Sequence, residues 1–174
     1  SVVSGAQSSK DRSSSSPLEV AQAAIERGRS LKADLEAYVQ FGRTVTVKVY
    51  GRKVEAVTVA EPRGLGVRAV REGRTGYAFT TNVSPVGLDR ALAEVGDDLD
   101  AADRDPYSGL PSVSSEDYPA VPGLWSPGLS TTPLEQKTAL ALEAEAAARG
   151  LPGVETVEES VDTAEESRIA VEST

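Results

Sequence analysis

Cysteine, histidine and methionine are all missing from this 174-residue chain. Without cysteine no disulfide framework can form, so the fold must hold by packing alone. Without cysteine or histidine, thiolate and imidazole zinc sites are excluded within the chain. Cysteine nucleophiles and Ser–His–Asp triads go with them. A carboxylate-only Mg²⁺ or Ca²⁺ site stays open, but no D-x-D-x-D-G loop occurs. The missing methionine at position 1 implies that the natural start has been processed, trimmed or omitted. Aromatic residues are scarce at 5%, so a core must be built mainly from Val, Leu and Ala.

Basic charge is also short. The net charge of -9 and a pI near 4.6 argue against a nucleic-acid-binding face, which needs clustered Lys and Arg. No run of about 18 apolar residues is present, so no membrane-spanning helix is expected. The opening "SVVSGAQSSKDRSSSS" lacks the apolar core of a signal peptide. A cytoplasmic protein with a disordered leader over 1–15 is the expectation. Ser13–Ser16 could alternatively serve as a linker or phosphorylation site.

What is present is mainly punctuation and periodicity. Ser16 as cap, Pro17 at the first helical position and Glu19 closing a capping box predict a helix over Pro17–Arg27, stopped at Gly28. The period then changes to two. Leu35, Ala37, Val39 and Phe41 alternate, and Val45, Val47 and Val49 do the same after a Gly42-Arg43 turn. Gly51-Arg52-Lys53 turns into "VEAVTVAE", which is followed by "GLGVRAVR" and, after Glu72-Gly73-Arg74, "TGYAFTT". Five strands with tight connections predict an antiparallel meander.

Ser84-Pro85 opens a second helix with Leu88, Leu92, Val95 and Leu99 on one stripe that would cover the sheet. A Pro/Gly-rich arm over 105–131 carries Tyr107, Tyr118 and Trp125, rings able to pin it to a surface. Thr132-Pro133-Leu134-Glu135 reads as another capping box, opening an alanine-rich helix to Arg149. "VETVEESV" and "RIAVEST" read as two final strands. The expected organisation is a leader (1–15), a helix–meander–helix block (16–104), the arm (105–131) and a helix with two strands (132–174) completing the same domain. The fold class is α+β: an antiparallel meander sheet packed with about three helices in two layers, with the last strand ending abruptly at Thr174 as if truncated.

Gly64-Leu65-Gly66-Val67-Arg68-Ala69 fits the loose dinucleotide pattern G-x-G-x-x-G/A. A phosphate turn needs a helix opening from it, whereas here the strand alternation runs on through Leu65, Val67 and Ala69. The glycines are therefore expected to shape backbone: Gly64 and Gly66 at a bend in a strand, Gly73 and Gly76 at the next hairpin and its exit. Arg63, Arg68, Arg71 and Arg74 could bind an anion, but a solvated sheet edge balanced by Glu61 and Glu72 is the simpler reading. Glu143, Glu145, Glu155, Glu158, Glu159, Glu165 and Glu166 show no spacing that would converge two carboxylates on one pocket. They are read as solvating charges, and no catalytic, metal or cofactor residue is assigned.

Taken together, "VEAVTVAEPRGLGVRAVREGRTGYAFTTNVSPVGLDRAL" resembles the N-terminal half of the PmbA/TldD family, also called modulator-of-DNA-gyrase proteins. The family pattern runs "G-x-V-E-s", "R-G-l-G-V-R", "d-G-r-x-G-f-a-s-T-n" and "l-S-P-x-x-l". "DPYSGLP", closer to the PmbA (TldE) type, and an "E-x-K-x-x-L-a-L-E-A-E" segment extend the likeness over about Leu18 to Thr174. Pro62 and the leader before Ser16 depart from it. The resemblance implies the first domain of a longer polypeptide. It further implies a zinc metallopeptidase assembly whose H-E-x-x-x-H segment lies beyond the matched region or on a TldD-type partner. The expected partners are thus a peptide substrate and a PmbA/TldD-like subunit in a homo- or heterodimer, with no nucleic acid and no membrane. The alternative is a stand-alone peptide-binding or scaffold domain.

Overall fold

The structure, a computed structural model, describes residues 15–112, 119 and 121–174. Helix α1 spans Pro17–Gly28 and starts with the expected reciprocal cap: Ser16 N–H donates to Glu19 Oε2 (2.6 Å) and Glu19 N–H to Ser16 Oγ (3.2 Å). A short 3-10 turn, Arg29–Leu31, then leads through left-handed Lys32 into the sheet.

The first two expected strands are one. Strand β1 runs 17 residues from Asp34 to Tyr50, straight through Gly42-Arg43. Its antiparallel return strand is broken instead, into β2 (Lys53–Ala60) and β3 (Arg63–Arg71). The register carries through the break, from Gln40 opposite Gly64 to Thr44 opposite Ala60. Gly42 is where the two chains approach closely: its N–H donates to the Pro62 carbonyl at 2.8 Å, and a Cβ there would stand 3.1 Å from the proline ring. Glycine inside a strand marks a close neighbour here, not a reversal.

Strand β4 (Arg74–Thr80) pairs with β3, and helix α2 (Pro85–Ala101) follows, capped by Ser84 Oγ accepting from Gly87 N–H. Leu88, Leu92, Val95 and Leu99 are buried on the sheet, as their spacing predicts. After the short helix α3 (Pro127–Thr131) comes α4 (Leu134–Arg149). Its expected capping box does not form. Pro133 occupies the cap position with no side-chain hydrogen bond, because Thr132 Oγ1 donates to the Gly128 carbonyl (2.8 Å) instead.

Of the last two expected strands, the first does not form as read: residues 154–159 lie outside any strand, and one strand covers the rest. Strand β5, Ser160–Ser173, pairs with β1 along its other edge from Val49 opposite Ser160 to Glu36 opposite Ser173. The polar run "DTAEES" that suggested a break lies opposite the polar centre of β1: Thr46 faces Thr163, Arg43 faces Glu166, and Gln40 Nε2 donates to Ser167 Oγ at 3.0 Å. The sheet is therefore not a simple meander; β1 is central, with β5 on one side and the end-to-end β2 and β3 on the other.

The α+β class stands, with antiparallel pairing and helices layered on the sheet. The buried β1 side chains, Leu35, Ala37, Val39, Val47 and Val49, all have one parity and so share one face. Helices α1 and α2 cover one end of that face, burying Val20, Ala24, Leu65, Val67, Leu88, Val95 and Leu99 with Leu35 and Val39. Helix α4 covers the other end through a small cluster of Val47, Val49 and Ala141. Among the described residues no helix is long and apolar enough to cross a membrane.

Candidate functional site

The glycines of the opening motif sit in three different environments. Gly64 has only ordinary contacts near a hypothetical Cβ. Gly66 lies opposite Tyr38 on β1 and Phe79 on β4, with the Tyr77 hydroxyl 3.2 Å from where a Cβ would be. It forms the floor of a shallow trough lined by Tyr38, Gln40, Gly64, Tyr77 and Phe79 on the face without helices. Gly73 has φ +77° in the β3–β4 turn, and its carbonyl accepts from Asp105 N–H (2.8 Å), tying down the start of the arm. Gly76 lies under α2, where a Cβ would collide with the Val95 carbonyl. Close helix–sheet approach is what this glycine provides. No helix opens from Gly64–Ala69, which is β3 throughout.

The arginines are engaged differently from the expected balance. Arg68 pairs with Glu36 (3.2 Å), and Arg71 reaches Asp100 (2.6 Å) and the Leu31 carbonyl (3.1 Å). Arg74 donates to the Ala102 carbonyl (2.6 Å), and Arg63 stacks over the Phe41 ring. Arg71 and Arg74 thus satisfy groups at the end of α2, and Glu61 is paired with Arg43 (3.3 Å). Of the arm's rings, Tyr107 is exposed, Trp125 lies beneath the Arg168 guanidinium, and Tyr118 falls outside the described residues, as do Ser13 and Ser14.

Among the glutamates, Glu143, Glu155, Glu158, Glu159 and Glu165 are exposed, while Glu166 is half-buried and held by Arg168. Glu159 pairs with Lys48 (2.6 Å), and that hydrogen bond and the carboxylate charge raise the lysine pKa. Glu145 is the exception to the solvating role. It is 1% exposed; its Oε2 accepts from Arg52 N–H (2.8 Å) and its Oε1 from Arg149 Nε and a terminal guanidinium nitrogen (3.0 and 2.9 Å). Burial alone would raise its pKa, but the bonds from Arg149 and from the Arg52 and Gly51 backbone outweigh it and hold the carboxyl below its ordinary value. Glu145 latches α4 onto the tip of the β1–β2 hairpin. Its place in an alanine-rich helix gave no sign of this, because only the tertiary fold brings Arg52 to it.

The described residues contain no cluster of three carboxylates that could hold a metal ion. The sequence has no histidine or cysteine, so imidazole and thiolate ligands cannot come from this chain. The sheet does offer free strand edges. Strand β2 pairs only with β1 among the described strands, and nearly all of its residues are exposed, including Val54, Val57 and Val59. An apolar, unpaired edge is a template for another extended chain.

Residues 35–102, from the start of β1 to the end of α2, match the family described as PmbA/TldA metallopeptidase domain 1. That stretch is similar to the first domain of this family. Solved structures agree in fold. TldE from Thermococcus kodakarensis superposes with a TM-score of 0.69 at 16% identity, over 89% of this chain and 35% of that one. A protein titled a putative modulator of a DNA gyrase, from Thermotoga maritima, gives 0.69 at 12% identity, over 90% and 35%. A similarly titled Bacteroides thetaiotaomicron protein gives 0.65 at 14%, over 90% and 36%. The chain thus spans about 35% of the length of the TldE it matches. No curated protein sequence matches it.

Proposed function

We propose that this chain is a non-catalytic first domain in a PmbA/TldD-type peptidase assembly. It would help enclose unfolded peptide and admit it to a zinc centre on another segment or on a partner subunit, in the cytoplasm. The reading is carried by one observation: residues 35–102 match the first domain of a metallopeptidase family in a chain without histidine or cysteine. The β2 edge supplies a physical role, since an extended peptide can add to it by main-chain hydrogen bonds with little dependence on sequence. Catalytic water activation would belong to the metal-bearing partner. This chain would contribute orientation and shelter of the substrate.

The test is reconstitution with a zinc-bearing subunit of the same family and an unfolded fluorogenic peptide. The expected result is no cleavage by the chain alone, and chelator-sensitive cleavage that rises when chain and partner are mixed. Cleavage by the chain alone, or a partner equally active without it, contradicts the proposal. A stand-alone peptide-binding domain is the second reading. It is favoured by the same exposed edge and would be supported by peptide binding without any association with such a subunit.

A further inference from the structure

Strand β2 has two unlike rows of side chains. The register sets Val54, Val57 and Val59 opposite Val49, Val47 and Val45 of β1. Cross-strand partners share a face, so this row lies on the side covered by α4. Lys53, Ala56, Thr58 and Ala60 form the other row, opposite Tyr50, Lys48, Thr46 and Thr44 on the face without helices. The apolar row is buried on β1 but open on β2: Val47 and Val49 are 0% exposed, Val57 and Val59 42% and 53%. The helical layer therefore stops short of the sheet edge. It leaves an apolar ledge beside the free side of β2.

At Val59 the ledge meets a cavity of about 160 Å³ with apolar walls formed by Val45, Val59, Leu129 and Leu134. That is room for one side chain of leucine size. Two cations, Arg43 and Lys137, and two carboxylates, Glu165 and Glu166, stand around it, so their charges cancel. A charged side chain would find no net counter-charge there and would lose water. An apolar one would remove its own surface and the four walls from water together.

Main-chain pairing is indifferent to sequence, but the side chains of an added strand are not placed at random. They point alternately to the two faces. The residue opposite Val59 would stand about 5 Å from it, on the cavity side. The residue two positions away would lie beside Val57, and the one between them beside Thr58 on the polar side. We propose that the β2 edge selects extended peptides in which apolar residues alternate with polar ones, one apolar side chain filling the cavity at Val59 and the next lying on Val57. This names the substrate class of the edge described under the proposed function, and it rests on that reading.

The test uses two blocked peptides of one composition, acetyl-KTLTLTK-amide and acetyl-KTTLLTK-amide, titrated calorimetrically into the full chain. Adjacent leucines cannot both reach the apolar row, so the alternating peptide should bind at least about tenfold tighter. Val59→Thr, close in shape and at an exposed position, should bring the two within about threefold of each other while the block peptide binds as before. Acetyl-KTATATK-amide keeps the alternation, removes the large side chains and needs no change to the protein. It should bind no tighter than the block peptide, which covers the case in which Val59→Thr fails to fold. Equal binding of the alternating and block peptides overturns this inference and leaves the edge pairing standing. Binding of neither at millimolar concentration overturns both. A tenfold preference that survives Val59→Thr, or an alanine peptide that binds as tightly as the leucine one, overturns the role of the cavity.

Discussion

The two halves of strand β1 belong to one sheet face but are held in different ways. The first half, Asp34–Phe41, is packed under two helices, and Leu35, Ala37 and Val39 are all fully buried. The second half, Gly42–Tyr50, rests on α4 through a small cluster of Val47, Val49 and Ala141 with the partly buried Leu142, supplemented by the charged latch of Glu145. Apolar burial scales with area, at roughly 25 cal/mol per Å², so the first half supplies most of the stability. The second half carries what a scaffold does not need: the bare β2 edge. In physical terms the molecule is divided into an anchor and a working end, and local opening should be easier at the latter.

The largest expected effect tests the anchor. Gly76→Ala places a methyl group against the α2 backbone at Val95, which cannot move aside as a side chain could. Overpacking of this kind costs about 3 kcal/mol, visible as a lowered urea midpoint. Leu35→Ala should follow closely, at about 3 kcal/mol for a buried leucine in a tight cluster. Val47→Ala, at the working end, should cost about 2 kcal/mol, the smaller side chain leaving the smaller cavity. Equal losses for Leu35→Ala and Val47→Ala would erase the distinction between the halves.

The next prediction concerns pH. The folded-state pKa of Glu145 is held below its ordinary value, so its contribution is fully present above the unfolded carboxylate pKa, about 4.3. It fades as pH falls through the lower folded value. The melting-temperature difference between the native chain and Glu145→Gln should therefore be constant near neutrality and shrink progressively under acid conditions. A difference that grows on acidification contradicts the latch. The smallest effect belongs to the Lys48–Glu159 pair, whose side chains are about half exposed. Lys48→Gln should leave the urea midpoint unchanged within error, since exposed ion pairs add little.

The same division explains which parts could be read from sequence. Anchor elements have strong local signals: Ser16 and Ser84 cap helices whose apolar stripes are regular, and β3 and β4 alternate cleanly into Gly73. At the working end the signals mislead. The polar centres of β1 and β5, Gly42–Thr46 and Asp162–Ser167, each look like a turn, because a strand whose neighbours are equally polar has no apolar alternation to show. Their pairing, Thr46 with Thr163 and Arg43 with Glu166, exists only between segments far apart in the chain. Glu145 likewise looks like an ordinary surface charge of an alanine-rich helix. What satisfies it is the Arg52 N–H at the tip of the β1–β2 hairpin together with Arg149, and helical spacing cannot reveal the hairpin. Gly73, with φ +77°, sits in a turn that its sequence neighbours announce, whereas the Val95 carbonyl that crowds Gly76 comes from α2 and leaves no mark beside the glycine in the sequence.

The most direct test of the working-end assignment is hydrogen exchange of the backbone, followed by mass spectrometry with and without an unfolded peptide. The account predicts slower exchange over Lys53–Ala60 when peptide is present, with Arg63–Arg71 and Arg74–Thr80 unchanged. Protection confined to β3 and β4, or no change in β2 at saturating peptide, would contradict it.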